Sequence, residues 1–223
     1  MKGVLAAVGL AREARIASGP NVEVVIGACD PNGLRERLKK AASNGARGII
    51  SFGIAGALSP MLRTGGCVIA TAVHAGYHPQ ETDQAWTAAL RASLPDALSA
   101  PILGMDTILP DAHQKRRQFA RTGAAAVDTE SHIVAEIATE CGLPFAALRV
   151  ITDTATAHLP PAALKAIGPE GRTKILSVMS SVMAGPGQIP LLVRTGSDAR
   201  TAFRALLRCR KLLGPGLGFP DLC

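Results

Sequence analysis

The chain has 223 residues, 48% hydrophobic, 18% charged and only 3% aromatic, with a formal net charge of +7. That length predicts one domain with a sizeable aliphatic core, and no run of about 18 apolar residues is available to span a membrane. Residues 160–223 hold nine Lys/Arg against three Asp/Glu, so nearly all the excess charge sits in the tail; that argues against nucleic-acid binding by the whole domain and for a tail that meets an anionic surface.

The start, Met1-Lys2-Gly3-Val4-Leu5, lacks a long apolar region and a cleavage site, so it reads as a first strand and not as a signal peptide. This strand runs from Gly3 to Val8 and ends at Gly9; a second spans Asn21 to Cys29. Asp30-Pro31 is an N-cap followed by proline at the first helical position. The helix it opens continues to about Ser43, with Leu34, Leu38 and Ala41/Ala42 on one face and Gly45 beyond its end. Gly48 to Phe52 is a buried strand leading into a Gly53-Ile54-Ala55-Gly56 turn, and Val68 to Val73 is another strand, followed by a loop with His74 and His78. Trp86, Leu90 and Leu94 mark a helix, Pro101 to Leu109 a strand, and Ala112 to Thr122 a basic helix. A short apolar run, Ala124 to Val127, then meets Asp128-Thr129-Glu130 and a helix with Ile133, Val134, Ile137 and Cys141 at helical spacing. The last strand, Phe145 to Thr152, ends at Asp153, and beyond Pro160-Pro161 the pattern is helical to Leu213. Strands alternating with helices predict an α/β fold, a mixed and mostly parallel sheet with helices on both faces. Residues 1–160 form the expected core and 161–223 a helical, basic extension packed on it.

Chemistry concentrates in three acids at the ends of separate strands: Glu13, Glu130 and Asp153. In this fold class such positions converge on one pocket. Each has a plainer reading. Asp153 suits an N-cap or a turn, Glu130 a first-turn complement to the helix dipole, and Glu13 a solvated acid between Arg12 and Arg15. Gly53-Ile54-Ala55-Gly56 lets backbone approach a sugar or an anion closely, or is only a tight turn; without Gly-x-Gly-x-x-Gly or a Walker lysine it does not indicate a dinucleotide or P-loop site. His74 and His78 find no third ligand at suitable spacing, so no metal is expected. The five cysteines, Cys29, Cys67, Cys141, Cys209 and Cys223, are scattered, as in a reduced, cytoplasmic protein.

Taken in order, these segments resemble the purine nucleoside phosphorylase and nucleosidase superfamily, on the side of methylthioadenosine/adenosylhomocysteine nucleosidase. Val8-Gly9-Leu10-Ala11-Arg12-Glu13 is similar to its first loop, with a water-activating Glu. Ser51 to Leu58 is similar to its Gly-rich ribose and anion loop, in which Gly53, Ile54 and Ala55 join Gly9 and Arg12 around the nucleophile. Val127-Asp128-Thr129-Glu130-Ser131 resembles the Met-Glu-Ser/Ala ribose motif, with Thr129 where Met is usual. Arg149-Val150-Ile151-Thr152-Asp153 resembles Arg-x-Ile-Ser-Asp, with Thr152 for Ser. Asp106-Thr107-Ile108-Leu109 falls where the family packs the purine, although Ile108 is not aromatic. Within the superfamily, Ala11 to Ala17, Asp128 to His132, Leu159 to Leu164, Pro186-Gly187-Gln188 and Arg208 to Gly214 are similar to the hopanoid-associated phosphorylase group, which extends the resemblance over nearly the whole chain.

The resemblance implies release of adenine from adenosylhopane in hopanoid lipid biosynthesis. Asp153 is then the acid for the leaving base, Glu130 with Thr129 holds the ribose, Ile108, Leu109 and Thr152 border the purine, and Glu13 orients water. Phosphorylases of this superfamily place Arg where Glu13 stands, so hydrolysis is favoured; the alternatives are phosphorolysis, with phosphate as co-substrate, and a methylthioadenosine-type nucleosidase. No cofactor is expected, and a homodimer is. The rival class is a non-catalytic ligand-binding or membrane-associated module. Arg200, Arg204, Arg208 and Lys211 fall on one helical face beside Phe203, Leu206, Leu207 and Leu213. That pattern suits either a peripheral contact at the inner membrane face or a helix docked by its apolar side with its cations in water.

Overall fold

The computed structural model describes residues 3–75, 78–161, 187 and 189–220. The expected helix over residues 162–186, with most of the Leu159 to Leu164 and Pro186 to Gln188 motifs, lies outside them. In order, the elements are β1 (Val4–Val8), α1 (Ala11–Ala17), β2 (Val22–Ile26), α2 (Pro31–Ser43), β3 (Ile49–Ala57), β4 (Cys67–Ala75), β5 (His78–Glu81), α3 (Gln84–Ser93), β6 (Leu98–Gly104), α4 (Ala112–Thr122), β7 (Ala126–Asp128), α5 (Ser131–Cys141), β8 (Phe145–Asp153) and α6 (Ile189–Leu212).

The eight strands form one mixed sheet in the order β2-β1-β3-β7-β6-β4-β5, with β8 bonded to both β3 and β4. Strands β3, β7, β6, β4 and β8 therefore close on themselves into a ring, and β1-β2 and β5 extend from it. The pairs β1-β2, β1-β3, β3-β8, β4-β6 and β6-β7 are parallel; β3-β7, β4-β5 and β4-β8 are antiparallel.

Both faces of the sheet are covered, which is why its strands read as continuous apolar runs instead of alternating ones. Leu34 and Leu38 of α2 and Ile133, Val134 and Ile137 of α5 bury one face. Trp86 and Leu90 of α3, Ala17 of α1, and Phe203 and Leu206 of α6 bury the other. Asp30 caps α2 through the Gly33 amide, and Asp111 caps α4 through the amides of His113 and Gln114. Gly123, with φ of 65°, ends α4 in the left-handed region.

Four sequence expectations are corrected. Gly53-Ile54-Ala55-Gly56 is not a turn: β3 runs on through it, paired with β8 as far as Gly56 and with β7 at Gly56 and Ala57, with a register shift between Ala55 and Gly56. His74 and His78 do not share a loop; His74 belongs to β4 and His78 to β5, which pair antiparallel. The strand from Pro101 stops at Gly104, so Ile108 and Leu109 stand in irregular chain. Cys141, taken as part of the apolar face of α5, is exposed.

Candidate active site

Glu13 is the third residue of α1, and its carboxylate turns back into the domain, almost wholly buried. Its Oε2 accepts the amides of Gly9 (2.8 Å) and Leu10 (2.7 Å), and Oε1 accepts the amide of Ile54 on β3 (2.7 Å). Burial, with the nearby Glu130 carboxylate adding to it, raises the Glu13 pKa to about 7 against the opposing pull of Arg149 and these amides. Three strong donors fix the group in place, while its proton affinity is that of a base working near neutral pH. The two glycines make the approach feasible. A Cβ on Gly53 would lie 2.4 Å from Glu13 Oε1, and a Cβ on Gly9 would lie 2.8 Å from Glu130 Oε1.

Glu130 occupies the N-cap position of α5 but does not cap it. Asp128 does: its Oδ1 accepts the amides of Glu130 (2.8 Å) and Ser131 (2.7 Å). With the helix start satisfied, the Glu130 side chain is free to face the cavity. There Oε1 accepts the Thr129 hydroxyl at 2.5 Å, and Oε2 lies 3.2 Å from Arg149 Nη2. Burial raises the Glu130 pKa, partly offset by Arg149.

Arg149 is buried in the middle of β8 and ties these acids together. Its Nη2 donates to Asp128 Oδ1 (2.9 Å), to Ser131 Oγ (3.1 Å) and to Ser51 Oγ, and Nη1 donates to the Ile54 carbonyl at 3.4 Å. At the end of the same strand, Asp153 accepts the Thr152 hydroxyl on Oδ1 (2.7 Å) and the Lys115 ammonium on Oδ2. Lys115, on α4, is fully buried.

Glu13, Glu130 and Asp153 line a single cavity of about 480 Å³. Gly9, Ile54, Ala55, Thr129, Thr152, Ile108 and Leu109 border it as well. Its remaining wall includes Leu159 and, from α6, Leu191, Thr195 and Ala199. Two expected residues lie elsewhere. Arg12 is exposed and stacks its guanidinium 4.4 Å above the Phe203 ring, and Gly53 packs behind the wall against Glu13 and Arg149. Among the described residues no group of three or more metal-binding side chains occurs.

By sequence, residues 32–184, more than half of the chain, match the model of the phosphorylase superfamily. The chain belongs to the phosphorylase superfamily. No curated protein sequence matches it. Solved structures share the superfamily fold. A methylthioadenosine/adenosylhomocysteine nucleosidase from Colwellia psychrerythraea, in complex with adenine, aligns with a TM-score of 0.65 at 13% identity, over 96% of this chain and 96% of that one. The corresponding nucleosidase from S. pneumoniae, with a transition-state inhibitor, gives 0.63 at 15% identity over 96% and 100%. Futalosine hydrolase of Helicobacter pylori gives 0.62 at 14% identity over 94% and 97%.

Four buried polar residues of this superfamily member received no role of their own from the sequence, although the first three stand in its motifs: Arg149, Asp128, Ser51 and Lys115. Arg149 had a signal, since one arginine in an otherwise apolar strand must find buried acceptors. Lys115 had a fainter one, standing four residues before Phe119 on the inward side of a helix that otherwise reads as basic throughout.

The α6 helix docks by Ala202, Phe203, Ala205, Leu206 and Cys209, which are buried, while Arg200, Arg204, Arg208 and Lys211 face outward with Leu207 and Leu212. Cys209 Sγ lies 3.7 Å from Cys67 Sγ at the start of β4. Among the described residues no helix is long and apolar enough to cross a membrane.

Proposed function

We propose that this chain releases adenine from a nucleoside by breaking its N-glycosidic bond, with water as the nucleophile. One observation carries the reading: Glu13, Glu130 and Asp153, from three separate elements, border one cavity, so a single bound nucleoside can meet all three. Breaking the bond builds positive charge on the ribose and negative charge on the base. Asp153 is the group that protonates the departing purine. Glu130, a buried carboxylate with acceptor capacity to spare, holds the ribose hydroxyls. Glu13 orients water and takes its proton, a task suited to a pKa of about 7.

Water is favoured over phosphate on electrostatic grounds. The guanidinium at the nucleophile end, Arg149, is already paired with Asp128 and Glu130. A phosphate entering there would meet two carboxylates, and Arg12 is engaged on Phe203 outside the cavity. The names of the structural relatives, nucleosidases and a hydrolase, agree with this choice.

The finer reading is that the substrate is adenosylhopane, in hopanoid lipid biosynthesis. It rests on the sequence resemblance, and the apolar part of the cavity wall, Ile108, Leu109, Leu159, Leu191 and Ala199, suits a hydrocarbon substituent on the ribose. On this reading the outward cations of α6 bring the enzyme to an anionic membrane, where such a substrate resides.

The test is adenine release from an adenosyl-lipid with and without phosphate, followed by identification of the ribosyl product. The expected result is equal release in both and a free ribosyl product. A ribosyl-phosphate product means phosphorolysis. Release from 5′-methylthioadenosine but not from the lipid means a nucleosidase of the methylthioadenosine class.

A further inference from the structure

Lys115 is the buried charge to which the proposed reaction assigns no task. Its neighbours on α4, Gln114, Arg116 and Arg117, are exposed, yet Lys115 has no exposed surface at all. Its Nζ donates to Asp153 Oδ2, to the Thr154 carbonyl at 3.1 Å and to the Ala157 carbonyl at 3.3 Å, which uses all three of its protons. Lys115 does not border the cavity, whereas Asp153 and Ala157, to which it donates, do.

Lys115 donates to Oδ2 of Asp153, so that oxygen acts as an acceptor. Thr152 Oγ1 lies within hydrogen-bond distance of both Asp153 Oδ1 (2.7 Å) and the Ala55 carbonyl (3.2 Å), and its single proton serves only one of them. Once Asp153 has given a proton to a leaving base, the hydrogen-bonded group that can replace it is the Lys115 ammonium. Burying a lysine costs stability unless it is fully paired; at this place it is fully paired, and with the proposed acid.

We infer that Lys115 is the positioning residue behind the general acid: it orients the Asp153 carboxyl group and delivers through it the proton that the departing adenine takes up. The inference rests on Asp153 being that acid. When the bond between C1′ and the purine nitrogen breaks, its electron pair passes to the base. The base takes a proton from Asp153, Asp153 takes one from Lys115, and Lys115 is left as a neutral amine. At the other end of the cavity, water adds hydroxide to C1′ and its proton goes to Glu13. Return of the Glu13 proton to Lys115 through solvent closes the cycle, so one nucleoside and one water give one adenine and one free ribosyl product.

The test compares two leaving groups in three variants: Lys115→Arg, Lys115→Met and Asp153→Asn. One substrate is 5′-methylthioadenosine, whose base needs a proton; the other is 4-nitrophenyl riboside, whose nitrophenoxide leaves without one. Arg preserves the charge on Asp153 but holds its protons tightly. Lys115→Arg should therefore lower kcat for adenine release by about 100-fold or more, the scale of a lost proton donor, and should do so at least about tenfold more than for nitrophenoxide release. Lys115→Met should show the same asymmetry. Equal losses on both substrates mean a merely structural lysine and overturn the inference. If Lys115→Met does not fold, the Lys115→Arg comparison decides alone. Asp153→Asn separates the two readings. If it leaves adenine release intact, the acid assignment itself fails; if it abolishes release while Lys115→Arg shows no leaving-group asymmetry, only the role of Lys115 fails.

Discussion

Replacing Arg149 by Met tests how the acidic centre is held. The guanidinium is wholly buried and lies 2.9 Å from Asp128 and 3.2 Å from Glu130, whose side chains are 1% and 7% exposed. Methionine fills much of the same space but leaves these carboxylates, and Glu13 beside them, without their shared counter-charge. Removing one partner of a buried pair costs about 3–5 kcal/mol, a large part of the roughly 5–15 kcal/mol that holds a typical domain folded. For a chain of this size about 1 kcal/mol moves Tm by about 2–4 °C, so the expected fall is about 6–20 °C. The assay is thermal unfolding by circular dichroism, near neutral pH and about two pH units lower. Burial raises the folded-state pKa of Glu13 to about 7 and raises that of Glu130 as well, so lowering the pH protonates Glu13 and weakens the repulsion between the two. The gap between mutant and wild type should therefore narrow as pH falls. A gap below about 2 °C near neutral pH, or one that does not change with pH, would refute the account.

Glu13 makes a second prediction about pH. Its pKa is about 7 in the folded protein against an ordinary 4.5, so its contribution to stability is complete below about 4.5 and is lost as pH rises through 7. Wild type should lose on the order of 3 kcal/mol to this group over that window, seen in urea titrations at several pH values, and Glu13→Gln should flatten the slope. The rising limb of kcat/KM near neutral pH should vanish with it; an unchanged limb would remove Glu13 from the base role. Gly53→Ala places a Cβ 2.4 Å from Glu13 Oε1 and should displace that carboxylate, lowering adenine release by about 10-fold or more; wild-type turnover would show that the approach is not tight. Glu130→Ala should weaken ribose recognition while the fold is kept, so the penalty for a 2′-deoxy substrate should be smaller in the mutant; equal penalties mean no contact with that hydroxyl. Changing Arg200, Arg204, Arg208 and Lys211 together to Gln should abolish salt-sensitive sedimentation with anionic liposomes; if wild type does not sediment at low salt, the outward face of α6 is only a solvated surface.

Much of this was legible in the residues. Apolar runs of strand length and the Asp30-Pro31 start of a helix, with Gly45 beyond its end, located the elements, because local chemistry decides them. The three acids were visible as carboxylates after apolar runs. Gly53 to Gly56 misled because glycines usually mark turns, whereas here they clear space inside a strand for a side chain from α1. Arg12 misled because proximity in sequence to Glu13 says nothing about direction: on α1 the two side chains leave from different faces, one to Phe203 and one to Ile54. The capping role of Asp128 could not be separated from Glu130 without geometry, since either acid suits a helix start. Lys115 was hidden among the other cations of its helix, and its partner lies 38 residues away.

The closed ring has a consequence for how the enzyme comes into being. Strand β8 is inserted between β3 and β4 and completes the circle. It also carries Arg149 and ends at Asp153. Until it inserts, the acids of α1, β7 and the start of α5 have no counter-charge, and Asp153, the acid proposed for the leaving base, is not in place. Folding and competence are thus completed by the same strand, through contacts between residues far apart in the chain, which are slow to form. On refolding, the return of activity should coincide with protection of the β8 amides from hydrogen exchange, with no half-built form that works at a fraction of the rate.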